Sequence, residues 1–186
     1  MPSDDIFNDL FSQNILFNTE PAIDTDGFFT VVYSDKIAAM RSAVETNIAP
    51  DTWSDILHSA HITRGTDCAR IEKNKIEETT LMILKTVKQS NGTLFLRLCD
   101  GTGIVDATMS PKALNILTAE WCEKHSAGTG DINTLVDGTT GKDLFIEREL
   151  KPPTLLQLKN VSAVLFNDKR HLVITENVVS ALFVFR

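Results

Sequence analysis

Residues 80 to 109 constrain the fold of this chain more than any other stretch. Three short runs, TLMILKTVKQ, GTLFLRLCD and GTGIVDATM, are rich in leucine, β-branched and aromatic residues. The turn signals SNG and DGTG separate them, and Asn-Gly and Asp-Gly supply the left-handed residues that tight hairpins need. A segment that reverses twice over so short a length reads as a three-stranded antiparallel meander. Alternation along the middle strand puts Leu94, Leu96 and Leu98 on one face and Thr93, Phe95, Arg97 and Cys99 on the other. In the third strand Val105, Ala107 and Met109 take the leucine side, leaving Ile104, Asp106 and Thr108 beside Phe95 and Arg97.

The segment after the meander narrows the choice of fold. In SPKALNILTAEWCEKH, Ser110 is placed to cap a helix, Pro111 takes its first position, and Leu114, Leu117 and Trp121 recur at helical spacing. SAGTGDINTLVDGTTGKD reads as a long loop, and TLLQLKNVSAVLFN and RHLVITENVV as two strands joined at NDKR. The order β-β-β-α-loop-β-β is that of an OB-fold, the rival being an unspecified α+β domain. The expected fold class is therefore mainly β with helical additions: a five-stranded OB-fold Greek-key barrel with an N-terminal helical extension and a long insert between strands 3 and 4. The barrel is expected over residues 78–178, with a core drawn from Leu94, Leu96, Leu98, Val105, Leu156, Leu158, Leu172 and Ile174.

Residues 1–77 are expected to form an arm and helical extension packing on the barrel, and residues 78–186 the OB-fold domain. Residues 1–27 show no sustained period; FFTVVY (28–33) reads as a strand. Ser34 would then cap a helix carrying Ile37, Met40, Val44 and Ile48, ended by Pro50, and Asp51 would cap a second helix over DTWSDILHSAHI.

Composition bounds the function classes. The 186 residues suit one substantial core. No run approaches the roughly 18 to 20 apolar residues of a membrane span, and the acidic start lacks the basic and apolar regions of a secretory signal, so an intracellular site is expected. Three scattered cysteines, Cys68, Cys99 and Cys122, do not form a disulfide framework. A net charge of −7, from 25 acidic and 18 basic residues, argues against extensive coating of duplex DNA and leaves room only for a local basic groove.

Within that limit the outer face of the meander is the place to look. An aromatic and an arginine two residues apart, Phe95 and Arg97, suit a single strand whose bases stack on rings at about 1 to 3 kcal/mol each. The competing reading has Phe95 covered by the N-terminal region and Arg97 paired with Asp106, an acidic group that repels phosphate. Lys85 and Lys88 on the first strand, and Lys169, Arg170 and His171 in the loop between strands 4 and 5, complete the candidate nucleic-acid residues, a solvated turn being the bland alternative for that loop. Cys122 and His125 make half of a zinc pattern with no second half. DGTTGK (137–142) lacks the glycine spacing and the Ser or Thr of a phosphate loop, and the four histidines fit no nucleophile and base pattern. No catalytic residue, metal or cofactor is expected. ENVVSALFVFR gathers so much apolar surface that Leu182, Phe183 and Phe185 become candidates for a partner interface, packing on the N-terminal helices being the alternative.

LMILKTVKQSNGTLFLRLCDGTGIVDATM resembles the first three strands of the OB-folds in the middle subunit of replication protein A and the Stn subunit of the telomeric CST complex. KPPTLLQLKNVSAVLFNDKRHLVITE resembles their strands 4 and 5. The chain departs from them in an insert of about 44 residues from Ser110 to Pro153, and it ends soon after strand 5, so their C-terminal assembly helix and winged-helix domain are expected to be absent or cut off. The resemblance implies a non-enzymatic nuclear subunit of a single-stranded-DNA-binding or telomere-protecting complex, whose partners are single-stranded DNA and another OB-fold subunit. The alternative is an OB-fold scaffold of a genome-maintenance complex without nucleic-acid binding of its own.

Overall fold

The structure, a computed structural model, describes residues 22–34, 37, 48–72, 74–126 and 140–186. Its strands are β1 (Ala22–Asp26), β2 (Phe29–Tyr33), β3 (Lys75–Lys88), β4 (Leu94–Cys99), β5 (Ile104–Met109), β6 (Leu155–Phe166), β7 (Lys169–Ile174) and β8 (Val179–Phe185). Its helices are α1 (Pro50–Ser59), α2 (Pro111–Ser126) and α3 (Gly141–Glu149).

Five strands close a barrel. β3 pairs antiparallel with β4 and β4 with β5; β5 runs parallel to β7, which pairs antiparallel with β6, and β6 returns antiparallel to β3. That closed cycle, with a helix between its third and fourth strands, is the OB-fold. The first strand must serve two neighbours, and a register shift between Ile83 and Lys85 bends it from β6 onto β4. The turns form where the sequence places them, with Gly92 and Gly101 at φ 82° and 83°.

All eight expected core residues are buried in one cluster. α2 plugs the end of the barrel: the Ser110 hydroxyl accepts from the Ala113 amide at 3.1 Å, and Leu114, Leu117 and Trp121 point into the core with Phe145 of α3. The helical insert is a difference from the expected loop. Thr140 caps α3 by accepting from the Asp143 amide, so the Lys142 region of DGTTGK is a helix start, while residues 137–139 lie outside the described residues.

The sheet continues beyond the barrel. β8 joins the half of β6 that β7 leaves free, β2 adds parallel to β8, and β1 closes the edge in a hairpin on β2. α1 lies on this extension, and Trp53, Ile56 and Leu57 form a second core with Val32, Met82, Cys99, Leu155 and Phe185. The expected strand over 28–33 is present, but β1, within the expected arm, is an addition. Pro50 opens α1, behind an Ala49 N-cap with no side-chain bond, and Asp51 sits in the first turn instead of at the cap. Of the expected helix after Ser34, the Ser34 hydroxyl accepts from the amide of helical Ile37 at 3.4 Å, as expected of its cap, and apart from residues 34, 37 and 48–49 the segment lies outside the described residues.

Candidate nucleic-acid interface

Pairing register brings residues from five strands into rows across the outside of the barrel. Lys85, Arg97, Asp106, His171 and Val164 stand side by side on β3, β4, β5, β7 and β6. Val87, Phe95, Thr108 and Val173 form the adjoining row. Leu96, Ala107, Leu172 and Ala163, one position along, point inward, so the outer rows cannot be withdrawn without turning the core out.

Three rings line this face. The Phe95 and His171 ring centres are 6.4 Å apart, and His171 to Phe166 is again 6.4 Å. His171 Nε2 lies 2.7 Å from the Thr108 hydroxyl, which fixes the imidazole between the two phenyl rings. Phe95 and His171 are half-buried at the base of the row, whereas Phe166 is 66% exposed. Lys169 and Lys85 are both exposed along the same side, and neither takes an ion pair among the described residues.

Of the seven residues expected to meet nucleic acid, Phe95, Arg97, Lys85, Lys169 and His171 share this face. Arg97 is tied to Asp106 at 3.0 Å, and that hydrogen bond and the carboxylate's charge push the guanidinium pKa further up. Two residues leave the face. Lys88 stands in register with inward-facing Leu94, and its ammonium passes to Asp143 at 2.6 Å, where the bond holds the Asp143 carboxyl below its usual range. Arg170 stands in register with Leu165, and its guanidinium donates to the Glu72 carbonyl at 2.8 Å and the Asn74 side chain at 3.4 Å. The expected loop is also shorter: Asn167 and Asp168, both at positive φ, make the turn, and Lys169, Arg170 and His171 belong to β7.

Sequence reasoning missed Phe166 and Thr108. The signal for Phe166 was present: a two-residue turn at Asn167-Asp168 pairs Phe166 with Lys169 and sets its ring diagonal to His171.

The DGTG turn has a different duty. Asp100 is buried, and its carboxylate accepts from the amides of Cys68 (2.7 Å), Thr102 (2.9 Å) and Gly103 (3.2 Å) and from the Thr102 hydroxyl (2.7 Å). It fastens the segment before β3 to the β4–β5 hairpin. Burial pushes the Cys99 thiol up to about 11, and burial with the Asp100 charge pushes the Cys68 thiol up as well. Cys122 packs against the barrel core, while His125 Nδ1 donates to the Trp121 carbonyl at 2.8 Å. Among the described residues, no three metal-ligating side chains converge.

The residues expected at a partner interface lie on β8. Leu182 and Phe185 are fully buried within this chain, and Phe183 is half-buried beside the second core. The cover for this apolar strand comes from β2, β6 and α1.

No protein-family model matches the sequence, and a comparison with curated proteins finds no match. Among solved structures, the chain is similar to the OB domain of a Methanosarcina mazei protein at 13% identity and a TM-score of 0.39, over 64% of this chain and 81% of that one. It is similar to the OB domain of a Thermoplasma acidophilum protein at 8% identity and a TM-score of 0.35, over 64% and 87%. The HINa domain of Ifi202, solved in complex with a 20 bp double-stranded DNA, is similar at 9% identity and a TM-score of 0.34, over 85% and 81%. No helix among the described residues is long and apolar enough to cross a membrane.

Proposed function

We propose that this protein is a non-enzymatic OB-fold subunit that binds single-stranded nucleic acid on the outer face of its barrel, within a nuclear complex that handles single-stranded or telomeric DNA. The observation that carries the reading is the ring row Phe95, His171 and Phe166, flanked by the ammonium groups of Lys85 and Lys169, which take no ion pair among the described residues. Rings spaced 6.4 Å apart suit bases splayed along an extended strand, each offering a π-face whatever its identity. The nuclear setting and the DNA substrate rest on the resemblance of residues 81–109 and 151–176 to the replication protein A middle subunit and the Stn subunit, a class that includes the insect telomere-capping protein Verrocchio. A partner subunit belongs to the same reading, with half-buried Phe183 as its point of contact.

A second reading, a barrel that binds only protein, draws on the Arg97–Asp106 pair, the diversion of Lys88 and Arg170, and the net charge of −7. Fluorescence anisotropy with a labelled mixed-sequence oligonucleotide separates the two. Two lysines on phosphate give a slope of log affinity against log salt of about −1.4, since each phosphate contact on a single strand contributes about −0.7. Saturable binding with that shallow slope supports the first reading. Its absence at roughly tens of micromolar, under low salt, supports the second.

A further inference from the structure

The hairpin joining β6 and β7 carries apolar residues where a turn is ordinarily polar. Val164, Leu165 and Phe166 are consecutive and exposed, and Leu165 at 62% and Phe166 at 66% are the most exposed large apolar side chains among the described residues. Alternation turns them to opposite sides. Val164 and Phe166 lie on the side of His171, continuous with the ring row, and Leu165 lies on the side of Arg170.

The hairpin is built to hold its shape. Asn167 and Asp168, at φ 48° and 60°, make the tight two-residue turn, and Arg170 ties its base to residues 72 and 74. Lys169, in register with Phe166, lies on the His171 side with the ring row, so the opposite side of the tip, which Leu165 occupies, offers mainly apolar surface. A stiff blade with an aromatic side facing a single-strand track and an aliphatic side facing away from it fits the place where two strands part. There one strand runs along the rings while the end of the duplex meets the other side, as apolar wedges do when they enter between base steps.

We infer that the β6–β7 hairpin is a wedge that recognises the junction between single-stranded and duplex nucleic acid, Phe166 leading the unpaired strand onto His171 and Phe95 while Leu165 abuts the terminal base pair. This rests on the proposed single-strand binding and names the form of its ligand.

The test compares, on the full chain, a single strand of about 12 nucleotides, a blunt duplex, and that duplex carrying the same strand as a 5′ or a 3′ overhang, a length within the span of one OB-fold. One overhang polarity is expected to bind about tenfold or more tightly than the single strand or the blunt duplex, a difference of about 1.4 kcal/mol. Leu165→Ser should remove that preference and leave single-strand affinity within about twofold, since its side chain lies off the ring row. Circular dichroism and the retained single-strand affinity show that this variant is folded. Overhangs no tighter than the single strand, or a Leu165→Ser variant that keeps the preference, would overturn the wedge while leaving single-strand binding standing. Binding to none of the probes would overturn the reading beneath it.

Discussion

Replacing Asp100 tests whether the DGTG turn is a structural clasp. Its carboxylate, 2% exposed, accepts four hydrogen bonds, three of them from backbone amides. Hydrogen bonds to a charged group contribute about 1.5 to 3 kcal/mol each, and an abandoned buried donor costs about 1 to 3. The full sum would overstate the loss. Thr102 and Gly103 sit in a half-buried turn whose amides regain water in a variant, and the Thr102 hydroxyl can rotate to solvent. The Cys68 amide, bound from 32 residues away at 2.7 Å, is the contact that holds the segment before β3 in place. Asp100→Ala should therefore cost about 3 kcal/mol. Asp100→Asn keeps one oxygen for Thr102 and Gly103 but turns a donor toward Cys68, and should cost about 1 to 2 kcal/mol. Urea unfolding with an unchanged m-value measures both, and oligonucleotide affinity should be unaltered in the folded variants. A loss below about 0.5 kcal/mol for Asp100→Ala would refute the reasoning, because a surface substitution costs no more than that.

Three further outcomes are expected. Asp143 is depressed by Lys88, so the pair's contribution is full above about pH 4 and fades as pH falls through the lowered pKa. The pair is well exposed, so Lys88→Met should cost about 0.5 kcal/mol at neutral pH, and the gap between the two proteins should close as pH falls below the ordinary carboxylate range, as measured by urea unfolding across pH. Cys68 and Cys99, whose thiols burial pushes up, should resist alkylation in the native protein at neutral pH and react once urea unfolds it, with mass spectrometry locating the label. Phe185→Ala should cost about 3 to 5 kcal/mol in thermal or urea unfolding, since Phe185 fills this chain's own second core.

The barrel was legible because its strands carry their pattern locally. Leu94, Leu96 and Leu98 alternate between two turn signals, and the closure that buries them also buries Val105 and Leu172. The parts that escaped depend on tertiary placement. β8 reads as an apolar tail until β6 offers it a free half-edge, and β1 reads as an acidic arm until β2 pairs with it, although Asp26-Gly27 is itself a hairpin signal. α3 has little apolar periodicity to announce it, and its one local sign is the Thr140 cap. At the candidate site, alternation put Phe95 and Arg97 outside, and the competing reading paired Arg97 with Asp106, as observed. Lys88 and Arg170 leave the face because they have the opposite parity to Lys85 and His171 along their strands, a sign that alternation carries. Their partners Asp143 and Glu72, 55 and 98 residues away, are not legible in the sequence. Phe166 joined the row only once the turn length was known.

A single strand held on the outer rows of β4, β5 and β7 is tested most directly, residue by residue, by a nuclear magnetic resonance titration of isotopically labelled protein with an unlabelled oligonucleotide. Saturable shifts are expected at Phe95, Thr108, His171, Phe166 and Lys169, with α1 and the β1–β2 hairpin unmoved. Shifts confined to α1 or the β1–β2 hairpin, or none anywhere at roughly tens of micromolar oligonucleotide, would contradict single-strand binding on this face.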